Sequence, residues 1–315
     1  MDKLTILSGN GNSDLTQRIC AYLGVKMCDA KIGRFKDGEV EVDIRESVRG
    51  QDVFLIQPTC PPVNENLVEL LVLLDALKRA SARRINLVMP YYGYARQDRK
   101  VVPRAPISAK LVADMIQVAG GNKLERLVAS ELHAGQIQGF FNIPVDHLYT
   151  KDVFLDHFSQ FDGKRLVVIS PDAGGIDRAR AYAQRLHNAD IAIVDKRREE
   201  ANESKIMHIV GDVKDKIAII IDDMIDTAGT TVQVAEAAEK YGALEIYAAC
   251  THALLSDNAV ERINNSPIKE LIVANTIPLG EKENALQRLR VLDTSHIFGD
   301  AIEKIHVEKS VSALF

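Results

Sequence analysis

The residues from Lys216 to Val232, KIAIIIDDMIDTAGTTV, combine three carboxylates with a run of small side chains. The apolar residues Ile217 to Ile221 read as a buried parallel strand that ends in Asp222 and Asp223. Asp226 follows, then Thr227, Ala228, Gly229, Thr230 and Thr231, and a helical pattern runs from Val232 to Lys240. In open α/β sheets, ligands bind beyond the carboxyl ends of strands, where such a turn would lie. Free N–H groups at a helix start suit a phosphate, and small side chains leave it room. Paired aspartates beside such a cradle imply a second task, either holding sugar hydroxyls or holding a hydrated metal ion. Capping a helix needs only one of these carboxylates.

Further groups elsewhere admit either chemistry or an ordinary structural role. In GRFKDGEVEV, Phe35 is flanked by Asp37 and Glu39. A loop aromatic beside acids can stack on a base and accept from its exocyclic amine, or it can simply bury one ring in a surface turn. In Tyr94-Ala-Arg-Gln-Asp98, Arg96 and the nearby Arg99 suit a polyphosphate, because guanidinium groups bind phosphate bidentately; a solvated charged loop is the alternative. Glu131-Leu-His133 places a carboxylate beside a histidine, a pair that can serve a Mg²⁺ site or the fold alone. Pro171 to Gly175 is a tight turn with one carboxylate, Asp172, and Lys196-Arg-Arg198 is a short basic run suited to phosphate or to solvent.

Strands and helices must alternate to position these groups. Leu4 to Leu7 is a strand, Ser13 is read as the N-cap of the helix that Gly24 stops, and Gly33 to Gly38 is read as a loop before the strand EVEVDI. Asp52 to Gln57, the long helix from Asn64, the strand from Ile85 and a helix near Ile107 to Val118 follow. The second half repeats the grammar: strands at Leu166 to Ser170, Ile191 to Val194, Ile206 to Val210, Ile217 to Ile221, Ile246 to Thr251 and Leu271 to Ala274. The basic loop is placed at Asp195 to Asn202. Two halves of similar layout predict a duplicated α/β unit with a mostly parallel sheet in each, divided near Tyr149, and a helical segment after Thr294.

At 315 residues the chain suits two domains of about 150 residues each. A net charge of -5 and an aromatic content of 5% argue against a nucleic-acid surface. No apolar run approaches membrane-spanning length and the amino terminus lacks a leader-like apolar core, so a cytoplasmic protein is expected. Cys20, Cys28, Cys60 and Cys250 have no metal-site spacing and read as reduced structural residues.

The stretch IIIDDMIDTAGTT resembles the phosphoribosyl pyrophosphate (PRPP) motif shared by type I phosphoribosyltransferases and by the synthetases that make PRPP. With GRFKDGEVEV, ESVRG, YYGYARQDRK, RAPISAKLVA, LHAGQIQGFFNIPVDHLY, SPDAGG, DKRR, VGDVKD, RINNS and NTIP, the chain resembles class I ribose-phosphate pyrophosphokinases nearly end to end. The resemblance implies an α/β fold of two phosphoribosyltransferase-like domains, 1–148 and 149–293, with the segment 294–315 returning to the first. It implies Mg²⁺-dependent transfer of pyrophosphate from ATP to ribose 5-phosphate, giving PRPP and AMP for nucleotide biosynthesis. Phe35, Asp37 and Glu39 would bind adenine across to a neighbouring subunit, Arg96, Gln97 and Asp98 would hold ATP, and His133 would sit at the Mg·ATP. Asp172 would bind metal or ribose, with Glu131 as a further metal ligand. Asp222 and Asp223 would hold the ribose hydroxyls, Asp226, Thr227, Ala228, Gly229 and Thr230 would cradle the 5-phosphate, and Lys196 and Arg198 would be catalytic. A homohexamer built from dimers is implied, with phosphate and ADP as effectors at Ser47, Arg49, Ser81, Arg104, Ser310 and Ser312.

The chain departs from the family pattern in three places. Glu131 stands where the family has Asp. The segment GGNKLERLVAS before it is about three residues longer, which predicts a bulge in the strand it forms. The loop after DKRR carries acids where the family has prolines. These departures leave a poorly active regulatory paralogue as the alternative; a phosphoribosyltransferase that consumes PRPP would lack the loops around Phe35 and Arg96.

Overall fold

Strands such as Leu166–Ser170 are buried at every position, so each face needs a helical cover, and the chain supplies it by alternating strand and helix. The computed structural model describes residues 3–161, 163–197 and 206–314. They divide into two units, Met1–Tyr149 with Thr276–Pro278 and Thr294–Phe315, and Thr150–Asn275 with Leu279–Asp293.

The first unit runs β1 (Leu4–Ser8), α1 (Ser13–Leu23), β2 (Ala30–Arg34), β3 (Val40–Ile44), β4 (Asp52–Ile56), α2 (Val63–Arg79), β5 (Arg84–Met89), α3 (Ser108–Gly120), β6 (Leu124–Ser130) and β7 (Val145–Leu148). Its sheet is parallel, in the order β1-β4-β5-β6-β7, while β2 and β3 form a separate antiparallel hairpin. The second unit runs α4 (Lys151–Phe158), β8 (Leu166–Ser170), α5 (Ile176–Arg185), β9 (Asp190–Arg197), β10 (Ile206–Val210), β11 (Ile217–Ile225), α6 (Gly229–Lys240), β12 (Glu245–Ala253), α7 (Ala259–Asn264), β13 (Glu270–Ala274), α8 (Glu281–Ala285) and β14 (Leu289–Leu292). Its sheet order is β10-β9-β8-β11-β12-β13-β14, with β10 antiparallel. The run β8-β11-β12-β13-β14 repeats β1-β4-β5-β6-β7 in chain order and in space, so each unit is one copy of the same topology. The pair β9–β10 stands at the chain position that β2–β3 holds in the first unit.

The last helix, α9 (Ser295–His306), belongs to the first unit. Its buried Phe298, Ala301, Ile302 and Ile305 pack with Ile6, Phe54, Ile56 and Val88 on the sheet face that α1 also covers. Each large side chain buried this way contributes about 1.5–3 kcal/mol. The polar anchor is Asp52, 1% exposed, which accepts from Arg84 Nε and Nη2 at 2.7 Å each, from Asn86 Nδ2 at 2.9 Å and pairs with His306 Nδ1 at 2.7 Å.

Several boundaries differ from those expected. Asn12, not Ser13, caps α1, its side chain accepting from Leu15 N, while Gly24 ends the helix in the left-handed conformation expected of a terminal glycine. Gly33 and Arg34 lie in β2, held there by pairing with Glu41 and Val40. β9 extends through Lys196 and Arg197 because β10 pairs alongside. β11 continues through both aspartates to Ile225, since β12 follows it to Ala253. β14 lies beyond β13 and forms the edge of that sheet. Before Glu131 a 3-10 turn occupies Gly121–Lys123, and the expected bulge lies early in β6, where Glu125 is the unpaired residue at the β5–β6 register shift. All four cysteines are buried, and burial pushes the thiols of Cys20 and Cys28 up to about 11 and of Cys60 to about 12.

Candidate active site

In the second unit, the strand ends of β8 and β11 bring carboxylates and an arginine together. Arg178 on α5 reaches Asp222 Oδ1 with Nη1 at 3.3 Å and Asp223 Oδ1 with Nη2 at 3.4 Å. The Asp223 N–H also donates to Asp222 Oδ1 at 2.9 Å. One guanidinium therefore faces two carboxylates, and the Asp223 side chain is 6% exposed. Burial, then the neighbouring Asp223, pushes the Asp222 carboxyl well above its ordinary range, with Arg178 opposing the shift. Ionised carboxylates only accept, so such a pair suits a ligand rich in hydroxyl donors.

Beyond β11 the loop folds into a cradle. Ala228 is left-handed, φ 59°, and α6 begins at Gly229 without any side-chain cap. The amide groups of its first turn thus take no side-chain cap, an arrangement that suits an oxyanion. Arg262 on α7 donates to the Thr227 carbonyl at 2.8 Å, and Ser256 N donates to the Asp226 carbonyl at 2.9 Å, so the loop is held from behind. Asp172 accepts from Gly174 N at 2.9 Å and Gly175 N at 3.2 Å through Oδ1. Its other oxygen takes no hydrogen bond from the described residues.

In the first unit, loops after β4, β5 and β6 converge. Gly93 N donates to Thr59 Oγ1 at 2.7 Å, and a Cβ on Gly93 would lie 2.4 Å from the Thr59 carbonyl, so only glycine fits. The loop then presents Arg96 and Gln97, both exposed. Gln97 is fixed by Ser108 Oγ at 2.8 Å, and Asp98 accepts from Gln136, which joins this loop to the turn after His133. His133 is exposed, whereas Glu131 is 6% exposed with φ 39°. The two neighbours thus differ, the histidine open to solvent and the carboxylate largely enclosed. On the hairpin, Phe35 is 53% exposed and its N–H donates to the Glu39 carbonyl at 2.8 Å, while Asp37 Oδ1 accepts from Glu39 N at 3.1 Å.

Comparison with known proteins decides the family. A model of the N-terminal domain of ribose phosphate pyrophosphokinase matches residues 4–120, and one of the phosphoribosyl synthetase-associated domain matches 197–315. A ribose-phosphate pyrophosphokinase of Caldanaerobacter subterraneus is 53% identical over 315 residues, covering 100% of this chain and 98% of that protein. The chain belongs to the ribose-phosphate pyrophosphokinase family. Another member, from Campylobacter jejuni, is 52% identical over 310 residues, covering 98% of each chain. The crystal structure of phosphoribosylpyrophosphate synthetase from Mycobacterium smegmatis superposes with a TM-score of 0.92 at 36% identity, over 98% of this chain and 100% of that one. The α/β fold of two similar units is therefore the family's fold.

Some expected site residues of this pyrophosphokinase-family chain come together and others do not. Asp222, Asp223 and Asp226 to Thr230 share one end of the second sheet, and Asp172 follows the adjacent strand β8. Lys196 is a backbone position on β9, and Arg198 lies outside the described residues. Among the residues expected to bind effectors, Gly50 N donates to the Ser81 carbonyl at 3.0 Å, which sets Arg49 beside Ser81. Ser310 and Ser312 hydrogen-bond each other at 3.0 Å at the edge of a cleft of about 420 Å³ that Arg84 and Arg126 also line. Ser47 is exposed before that Arg49 turn, and Arg104 is exposed in the loop after β5. Sequence reasoning missed Arg178 and Arg262. The signal for Arg178 was its place at the start of the helix after Asp172; for Arg262 it was the family word RINNS that it opens, although the contact with Thr227 spans 35 residues along the chain.

Among the described residues no group of three His, Cys, Asp or Glu forms a metal cage. Mg²⁺ held mainly by substrate phosphates and water needs only one or two protein oxygens. The open oxygen of Asp172 fits that chemistry. Among the described residues, no helix is long and apolar enough to cross a membrane.

Proposed function

We propose that this protein transfers the pyrophosphoryl group of ATP to O1 of ribose 5-phosphate, giving PRPP and AMP. The observation that carries the proposal is the carboxylate pair faced by Arg178 beside the uncapped start of α6. Asp222 and Asp223 accept from the ribose hydroxyls, and the backbone from Asp226 to Thr230 binds the 5-phosphate. The acceptor is thereby oriented for attack of O1 on the β-phosphorus: the O1–Pβ bond forms, the bond from Pβ to the α,β-bridging oxygen breaks, that oxygen leaves on AMP, and the O1 proton passes to solvent. Positioning and charge stabilisation account for most of the rate in such transfers. Phe35, Asp37 and Glu39 take adenine, and Arg96, Gln97 and Asp98 hold the rest of ATP. Lys196 and Arg198 offset negative charge on the transferring group. Asp172 in the second unit, and His133 with the enclosed Glu131 at the ATP loops of the first, are the residues that would each meet Mg²⁺, which would supply charge neutralisation at the phosphoryl oxygens. The assembly proposed is a homo-oligomer, a hexamer built from dimers, acting in the cytoplasm. Phosphate and ADP are its proposed effectors at Ser47, Arg49, Ser81, Arg104, Ser310 and Ser312.

Phosphorus NMR of the purified protein with Mg²⁺, ATP and ribose 5-phosphate tests the reaction. AMP and PRPP are expected to appear in equal amounts without ADP. A folded oligomer that binds both substrates and forms neither product would refute the proposal and favour a regulatory paralogue.

A further inference from the structure

Glu69 is a carboxylate on the buried face of α2, in line with Asn66, Leu70 and Leu73, and its side chain is wholly enclosed. An unpaired carboxylate there would cost several kcal/mol. It is instead saturated. Oε1 accepts from Asn10 N at 2.7 Å and from Gln57 Nε2 at 3.1 Å, and Oε2 accepts from Asn10 Nδ2 and Arg34 Nη1, both at 2.9 Å. Each partner comes from a different element: the turn after β1, the end of β4, and the last residue of β2.

Arg34 immediately precedes Phe35. Among the described residues the hairpin β2–β3 forms no ladder with the five-stranded sheet; backbone contact holds its approach, where Cys28 N donates to the Ile6 carbonyl at 2.8 Å, and side chains hold the far end that carries Phe35. Ile32, Val42 and Ile44 pack it against the core as half-buried apolar contacts that permit sliding. The directional ties are Arg34 to Glu69 and Asn10 Nδ2 to the Ile32 carbonyl at 3.3 Å, and Asn10 is itself held by Glu69. Glu65, 3.7 Å from Arg34 Nε, adds a looser, exposed contact.

We infer that Glu69 is a positioning residue for nucleotide binding: through Arg34 and Asn10 it sets the angle of the hairpin that carries Phe35, Asp37 and Glu39. The inference rests on the reading of those three residues as the adenine site. In Glu69→Gln the new amide faces two donors, Asn10 Nδ2 and Arg34 Nη1, and the tie breaks where an isosteric side chain still fills the space.

Steady-state kinetics of the full-length, assembled protein test it with Glu69→Gln, Arg34→Met, the double variant and Phe35→Ala. Glu69→Gln and Arg34→Met are each expected to raise KM for ATP about tenfold with KM for ribose 5-phosphate within about twofold of wild type. The double variant should be no worse than the poorer single, since both changes cut the same tie. An unchanged ATP KM in Glu69→Gln, with a raised one in Phe35→Ala, overturns the role of Glu69 alone. Equal losses for both substrates also overturn it, because a general loosening of the fold is then the cause. An unchanged ATP KM in Phe35→Ala removes the adenine reading and the inference with it. Arg34→Met, altering a part-exposed side chain, keeps the test open if Glu69→Gln does not fold.

Discussion

Replacing Arg178 with Met removes a cation that faces both Asp222 and Asp223. At 3.3 and 3.4 Å, each contact is worth about 5 kcal/mol of gross attraction at an effective dielectric of about 20. That figure is an upper bound, because the Arg178 side chain is 21% exposed and the Asp222 side chain 27%. The carboxylates need not stay ionised without it. Burial and mutual repulsion already hold the Asp222 carboxyl well above its ordinary range, and losing Arg178 raises it further. The pair then keeps a proton near neutral pH, and one acceptor becomes a donor facing a sugar hydroxyl. Losing one charge-assisted hydrogen bond costs ~1.5–3 kcal/mol, or about 10- to 100-fold in binding. KM for ribose 5-phosphate in Arg178→Met should rise by that factor while KM for ATP stays within about threefold. The assay is AMP formation at varied acceptor and at several pH values. Raising the pH re-ionises the pair, so the defect should shrink between about pH 7 and pH 9 in the variant more than in wild type. A ribose 5-phosphate KM that does not change, or a pH profile parallel to wild type, would refute the argument.

Three other outcomes are expected. With the Asp222 carboxyl raised in the folded state, the native protein holds a proton that the unfolded chain has released, so stability falls as pH rises from the ordinary carboxylate range toward the raised value. Asp222→Asn should therefore melt higher than wild type at pH 8 but not at pH 4, while losing acceptor binding; calorimetry showing equal differences at both would contradict this. Asp52→Asn removes the charge shared by Arg84 and His306 and should cost ~3–5 kcal/mol, read as a lower urea midpoint and faster amide exchange in α9. Lys196→Ala should lower kcat by at least about 100-fold with ribose 5-phosphate binding by calorimetry nearly intact, and parallel loss of both would count against its role.

Local patterning carried much of the architecture. The apolar runs 166–169 and 53–56 announce strands covered on both faces, and both strands lie inside their sheets. The TAGTT run announces a strand-to-helix turn that small residues alone can make, and α6 starts at Gly229. Ends of elements were less legible, because they depend on a neighbour. β11 runs on through Asp222 and Asp223 only because β12 continues to pair with it, and β9 keeps Lys196 in a strand only because β10 lies alongside. Aspartate and lysine have little preference for strands on their own.

The residue types that can handle phosphate, sugar hydroxyls and nucleotide, and the order in which they occur, are properties of the sequence, because short-range chemistry and spacing determine them. Tertiary structure alone decided which charges face one another. Arg178 meets the aspartates from a different element about 45 positions away, Glu69 gathers donors from three separate elements, and α9 returns to a sheet whose first strand lies nearly 300 residues earlier. Those partnerships are set by packing of distant segments, where the cost of burying a charge selects a partner that no local pattern announces.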